Sequence, residues 1–253
     1  MEKRFFLYLA PICLVIGLAP LVLLGQTTSI QIPPSIGEFI IRIVITRAIE
    51  NNNIKREKLT YKRVYTVENL NDNEQVADTE RQETILIEKN GIERMIESIR
   101  NGKLVKNSRV SASRFELLKV LEAMIMLDDF AIIRIEFLDG RPCYVIFFKP
   151  RPGQKANGDV EEIIARSEGE IYIDIEKFYI RKLSARMIRP YARGGILGWS
   201  IFNLTRANIE MLQEEFEGII VMGSVLIIDK YSLFGIETFE KQTYTYKDYQ
   251  QIQ

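Results

Sequence analysis

A chain of 253 residues, 47% hydrophobic and 27% charged, is long enough to bury a full core without metals or disulfides. Its 34 basic and 34 acidic side chains give a formal net charge of +0, which disfavours electrostatic binding of nucleic acid. It has no histidine and two cysteines, Cys13 and Cys143, which excludes Ser-His-Asp and Cys-His catalysis, histidine bases and cysteine-cluster metal sites. What remains is a binding or structural protein, or an enzyme working with carboxylates, Lys, Tyr or Ser. No cofactor or metal is expected.

Lys3 and Arg4 precede Phe5 to Leu24, a run without one charged residue. A basic start followed by an apolar run is the layout of an export signal. Its length also reaches the roughly 20 residues of a spanning helix, although Pro11 and Pro20 interrupt it. Residues 1–25 are therefore expected to be a signal peptide or an N-terminal membrane anchor, and 26–34 a short linker. If the leader is removed, Cys143 is left alone and forms no internal disulfide. It lies in an apolar strand pattern, which predicts an inert buried thiol.

Ser35-Ile36-Gly37-Glu38 has the form of a capping box, and Ile36, Phe39, Ile40, Ile43 and Val44 follow helical spacing up to Asn51-Asn52-Asn53. From Tyr61 the period changes to two. Tyr61 to Glu68, Thr84 to Glu88 and Ile92 to Ile99 predict a three-stranded meander, with Asn90-Gly91 as a hairpin signal. A second helix is expected from Ser113-Arg114-Phe115-Glu116, with Phe115, Leu118, Leu121, Met124 and Ile125 on one stripe and Asp128-Asp129 at its end. Ile133 to Phe137 and Cys143 to Phe148 flank the turn Asp139-Gly140. Gln154 to Ser167 reads as a polar connection, and Arg189 to Trp199 as a loop containing Gly194, Gly195 and Gly198. Strands follow at Glu170 to Asp174, Leu183 to Met187, Ile209 to Phe216, Ile219 to Ile228, Leu233 to Phe239 and Thr243 to Tyr249. About ten or eleven strands joined by hairpins make a mainly β, antiparallel sheet that must curl, in one domain over 35–253.

A leader, a helix, three meandering strands, a helix and a run of hairpins resemble the periplasmic lipoprotein-carrier superfamily, which includes the lipoprotein-sorting proteins LolA and LolB. The likeness rests on Tyr61 to Asn69, on Leu138-Asp139-Gly140-Arg141-Pro142-Cys143-Tyr144-Val145 with Phe148-Lys149-Pro150, on Gly169 to Ile180 and on Tyr244 to Tyr249. It implies an unclosed half-barrel with helices covering the concave face. It also implies an exported protein of the periplasm or cell envelope that holds a lipid or lipoprotein acyl chain in an apolar cavity. Other envelope proteins are partners under this reading, and a catalytic site is not expected. The alternative is a sensor of the RseB type, which uses the same fold to sense lipoproteins.

Period-two alternation puts Ile133, Ile135 and Phe137 on one strand face, and Cys143, Val145 and Phe147 on one face of the hairpin partner. Together with Phe115 and Leu118 of the second helix, these are the expected wall of the cavity. Arg134 and Glu136 are expected on the opposite, wet face, where Arg134→Asp would be nearly silent. Glu161-Glu162 and Glu214-Glu215 are adjacent, and neighbours in a strand point apart, so neither pair is expected to form a catalytic dyad. Arg189, Tyr191 and Arg193 read as surface loop residues, with an anionic head group as the other reading; Trp199 is expected to pack on the sheet.

Overall fold

The computed structural model describes residues 34–55, 59–89, 92–105, 117–194 and 201–251. The expected leader, the linker up to Pro33, Asn90-Gly91, Ser113 to Glu116 with Phe115, and Gly195, Gly198 and Trp199 lie outside the described residues.

Helix α1 (Pro34–Lys55) begins one residue before the expected cap. Proline suits the first helical position, where its missing N–H has no partner to lose. Glu38 does not turn back to cap; its carboxylate accepts from Arg42 one turn on, at 2.8 Å. The β-branched run stays helical because Ile40, Ile41 and Val44 are buried, and burial outweighs a propensity of a few tenths of a kcal/mol each. Helix α2 (Leu117–Leu127) buries Leu121, Ala123, Met124 and Leu127. A third helix, α3 (Asp159–Ile164), lies inside the stretch expected to be a polar connection.

Among the described residues twelve strands form one sheet. In chain order they are β1 (Leu59–Leu70), β2 (Val76–Lys89), β3 (Ile92–Arg100), β4 (Lys103–Leu104), β5 (Asp128–Leu138) and β6 (Arg141–Pro150). They continue with β7 (Ser167–Asp174), β8 (Ile180–Met187), β9 (Tyr191–Arg193), β10 (Phe202–Phe216), β11 (Ile219–Leu233) and β12 (Ile236–Gln251). The spatial order is β4-β3-β2-β1-β12-β11-β10-β8-β7-β6-β5, with β9 beside β10. Every pairing is antiparallel. The first and last strands of the chain, β1 and β12, join the two meanders. β4 and β5 remain as edges, so the sheet is curled and not closed: a half-barrel, as expected.

Four hairpins turn on two residues that both have positive φ: Asn101 (47°) and Gly102 (77°), Asp139 (49°) and Gly140 (77°), Glu217 (48°) and Gly218 (80°), Phe234 (51°) and Gly235 (81°). Such turns match the right-handed twist of the strands they join. The last of them corrects the expected strands. Asp229 to Ser232 do not break the chain; β11 runs through them to Leu233, and the turn comes at Phe234-Gly235.

Candidate functional site on the helix-covered face

Cross-strand pairing places one row of side chains on a single face of eight strands. Ile132 pairs with Ile146, Ile146 with Ile171, Ile171 with Leu183, Leu183 with Met211, and Met211 with Val225. All six are buried. The row continues from Val225 to Tyr244 and from Tyr244 to Tyr65, where the side chains become half-buried. The helices lie on this face. A Cβ on Gly37 of α1 would stand 3.2 Å from Cβ of Phe130, which alternates with Ile132. Helix α1 lies mainly on β5 and also touches β11. The row is thus aliphatic from β5 to β11 and aromatic from β12 to β1.

The aromatic half has its own chemistry. The Tyr65 and Tyr244 rings stack with centroids 4.5 Å apart. Their hydroxyls both donate to Oε1 of Gln242, at 3.3 and 3.1 Å. Tyr61 contacts Tyr246 and Tyr249, with ring centroids 6.0 and 5.2 Å apart. Beside them Asp229 pairs in register with Glu240, and Oδ1 of Asp229 is buried without a hydrogen-bond partner. Burial first, and the Glu240 carboxylate second, push its pKa up to about 7. Burial, then Tyr244, push the Tyr65 hydroxyl well above the usual phenol range.

A second carboxyl is buried at the other end of the face. Asp128 alternates with Phe130 and Ile132, is fully buried, and neither of its carboxylate oxygens has a hydrogen-bond partner. Arg151 is bound instead to the Asp128 carbonyl, at 2.8 Å, and to the Asp129 carboxylate, at 3.0 Å. Burial pushes Asp128 up to about 8, against a smaller opposing pull from Arg151.

The expected wall residues do not share one face. A bulge between Ile132 and Arg134 inserts Ile133 into β5, so Arg134 pairs with Val145 and Ile135 with Tyr144. Antiparallel partners share a face. Val145 therefore lies with Arg134, and Phe147 lies with Glu170, its partner in β7, on the face away from the aliphatic row. Ile135 and Phe137 lie with Tyr144 and Pro142; Phe137 is 69% exposed and Ile133 37%. Leu118 is half-buried in α2. The aliphatic row, the tyrosines, Asp128 and Asp229 were not among the expected site residues.

The bulge also changes the role of Arg134. Its guanidinium donates twice to Glu170, at 2.9 and 2.8 Å, and to Glu136 at 2.8 Å and the Tyr172 hydroxyl at 2.9 Å. These groups roof the fully buried Val145. Arg134→Ala is expected to lower stability by about 1–2 kcal/mol in urea unfolding, reduced from a buried pair because the guanidinium is partly solvated. Arg134→Asp would cost more, since it also sets three carboxylates together.

Three of the four adjacent glutamates are held. Glu215 is bound by Lys177 and Arg141. Glu162 pairs with Arg166, and Glu161 accepts the Asn157 N–H at 2.6 Å. The residues of the Arg189 loop are held by backbone and carboxylate as well. Arg189 donates to the Ala165 carbonyl at 2.8 Å, Tyr191 to Asp159 at 2.8 Å, and Arg193 pairs with Asp159. Cys143 is buried, and burial raises its thiol pKa. Among the described residues no helix is long and apolar enough to cross a membrane.

No family model matches the chain, and no curated protein matches it in sequence. Among solved structures it is similar to a domain described as an outer membrane lipoprotein-sorting protein from Vibrio parahaemolyticus: 9% identity over 83% of this chain and 93% of that one, TM-score 0.39. It is similar to a DUF1329 family protein from Desulfovibrio piger: 10% identity, 83% and 92% covered, TM-score 0.34. It is also similar to MucB in the MucA/MucB complex of Pseudomonas aeruginosa: 10% identity, 81% and 94% covered, TM-score 0.24.

Proposed function

We propose that the protein binds an amphiphile with an acyl chain, a lipid or the acylated end of a lipoprotein, on the helix-covered face, and does so in the cell envelope. The observation that carries this reading is the single register row that passes from buried aliphatic side chains to half-buried tyrosines. Such a lining is amphipathic along one line, as the ligand is. Each CH₂ taken from water contributes ~0.8 kcal/mol, so a chain of ordinary length binds there without any polar motif. The polar half offers acceptors, Asp229 and Glu240 beside the Gln242 amide. The bound end is therefore a donor, a hydroxyl, amide or ammonium, rather than a bare phosphate. Uncharged leader residues Phe5 to Leu24 motivate the envelope placement. On this reading the protein is a carrier or binding protein; of the adjacent glutamates, Glu162 pairs with Arg166 and Glu215 with Lys177.

Fluorescence titration with a pyrene-labelled monoacylglycerol tests this. Val67 pairs with Gln242 on the ligand face, whereas Ile85 pairs with Lys62 on the other. Val67→Asp is expected to weaken uptake at least tenfold, because a charge buried against an acyl chain costs over 1.4 kcal/mol. Ile85→Asp should leave uptake unchanged. No uptake by the native protein, or an equal response to both changes, would sink the reading.

A further inference from the structure

The β11–β12 hairpin ends in a tip whose chemistry opposes its own turn. A two-residue turn with positive φ at both positions favours Asn, Asp or Gly at the first of them. Three hairpins of this chain comply or stay polar there, with Asn101, Asp139 and Glu217. The fourth places Phe234 at φ 51°, where a bulky side chain is a steric outlier. That ring is 74% exposed, and Ile236 beside it 73%. Leu233, directly opposite Ile236, and Ile201, whose carbonyl accepts the Phe234 N–H at 2.8 Å, are exposed as well. No charged residue lies among Ile201 and Leu233 to Ile236, and in the sequence the six residues before Ile201, Gly-Ile-Leu-Gly-Trp-Ser at 195–200, carry none either. The last β1–β12 pair is Asn69 with Glu240, so residues 236–239 of β12 run on beyond β1. The tip is both strained and greasy, and folding gains from neither.

We propose that this tip is a membrane-docking element that enters the interfacial layer of a lipid bilayer. A projecting turn offers no groove to receive a protein segment, whereas a fluid bilayer accepts a convex apolar wedge. Aromatic rings favour that interfacial depth. The nearest cation on the hairpin, Lys230, is held by Asp72 at 3.2 Å and Glu237 at 3.6 Å, so it is not free to direct the contact. Docking is therefore driven by apolar burial and is insensitive to salt. It does not depend on the ligand reading above.

The test uses the full chain with Trp199→Phe, adding one reporter at a time: Phe234→Trp, or Glu217→Trp at another hairpin tip. Vesicles of phosphatidylcholine and phosphatidylglycerol carrying brominated acyl chains are added at low and high salt. The Trp at 234 is expected to shift its emission to the blue and to be quenched at both salt concentrations, and that at 217 to do neither. Water-like, unquenched emission at 234, equal quenching at both positions, or a blue shift that depends on protein concentration without vesicles overturns the proposal. The last result would mark a contact between copies. A second variant separates function from folding. Phe234→Asn restores a favoured turn residue and is expected to raise the melting temperature by ~2–4 °C. In a chain that carries Ile236→Trp as reporter, the same change should abolish quenching; quenching that survives it overturns the proposal.

Discussion

Between pH 5 and pH 8 the protein is expected to lose several kcal/mol of stability, and Asp128→Asn to lose much less. The folded pKa of Asp128, about 8, lies above the ordinary value of 3.8, so the native state keeps a proton that the unfolded chain releases. Stability therefore falls with rising pH across that window, by up to ~1.4 kcal/mol per unit, and levels off above it. Water reaching the site discounts the full sum, which leaves about 3 kcal/mol. Asp229 adds a limb of the same sign that ends near pH 7, so a smaller slope survives in the variant. Glu83, Glu170 and Glu215 act the other way, because cations hold their pKa values below the usual range. Their stabilisation is present above about pH 4.5 and is lost as the pH falls further. Urea unfolding of both proteins at half-unit pH steps measures this. A native protein equally stable at pH 5 and pH 8 would contradict the burial of an unpartnered Asp128.

Gly169→Ala is expected to cost about 3 kcal/mol or more, read as a drop in the urea midpoint. Gly169 sits in β7 between Phe148 and Ala185, in a row parallel to the aliphatic one. A Cβ there would lie 2.0 Å from the Ser184 carbonyl oxygen and 2.8 Å from Cα of Ala185. Both are backbone atoms of β8, so no rotamer change relieves the clash; the β7–β8 ladder must open. Overpacking where a side chain can give way costs ~1–3 kcal/mol, and this site has less freedom. Circular dichroism and midpoint close to the native values would contradict the close approach of the two strands.

The hairpins with Asn-Gly or Asp-Gly were legible because the turn needs residues that tolerate positive φ. Phe234-Gly235 was not, since a phenylalanine at that position speaks against such a turn. The cavity wall was misplaced by a single inserted residue. Ile133 breaks the alternation of β5, and period two carries no mark of where a bulge falls. Helix α3 has six residues, too few for a helical period to show. Asp128 reads as a polar stop after a helix, yet it is the first residue of β5 and is buried there. The tyrosines of 61–69 and 244–249 were visible as two strand patterns, but only the pairing of β1 with β12 brings Tyr65 onto Tyr244. Order of elements and fold class survive such local errors because they rest on many segments; a site depends on register, which one residue shifts.

Native mass spectrometry of the full chain, extracted from its own membranes in mild detergent, tests the central claim most directly. The account predicts a discrete added mass of an acylated amphiphile that survives detergent exchange and is lost from Val67→Asp. Only the bare chain mass in repeated native preparations, or an added mass that Val67→Asp retains undiminished, would contradict an acyl ligand on the helix-covered face.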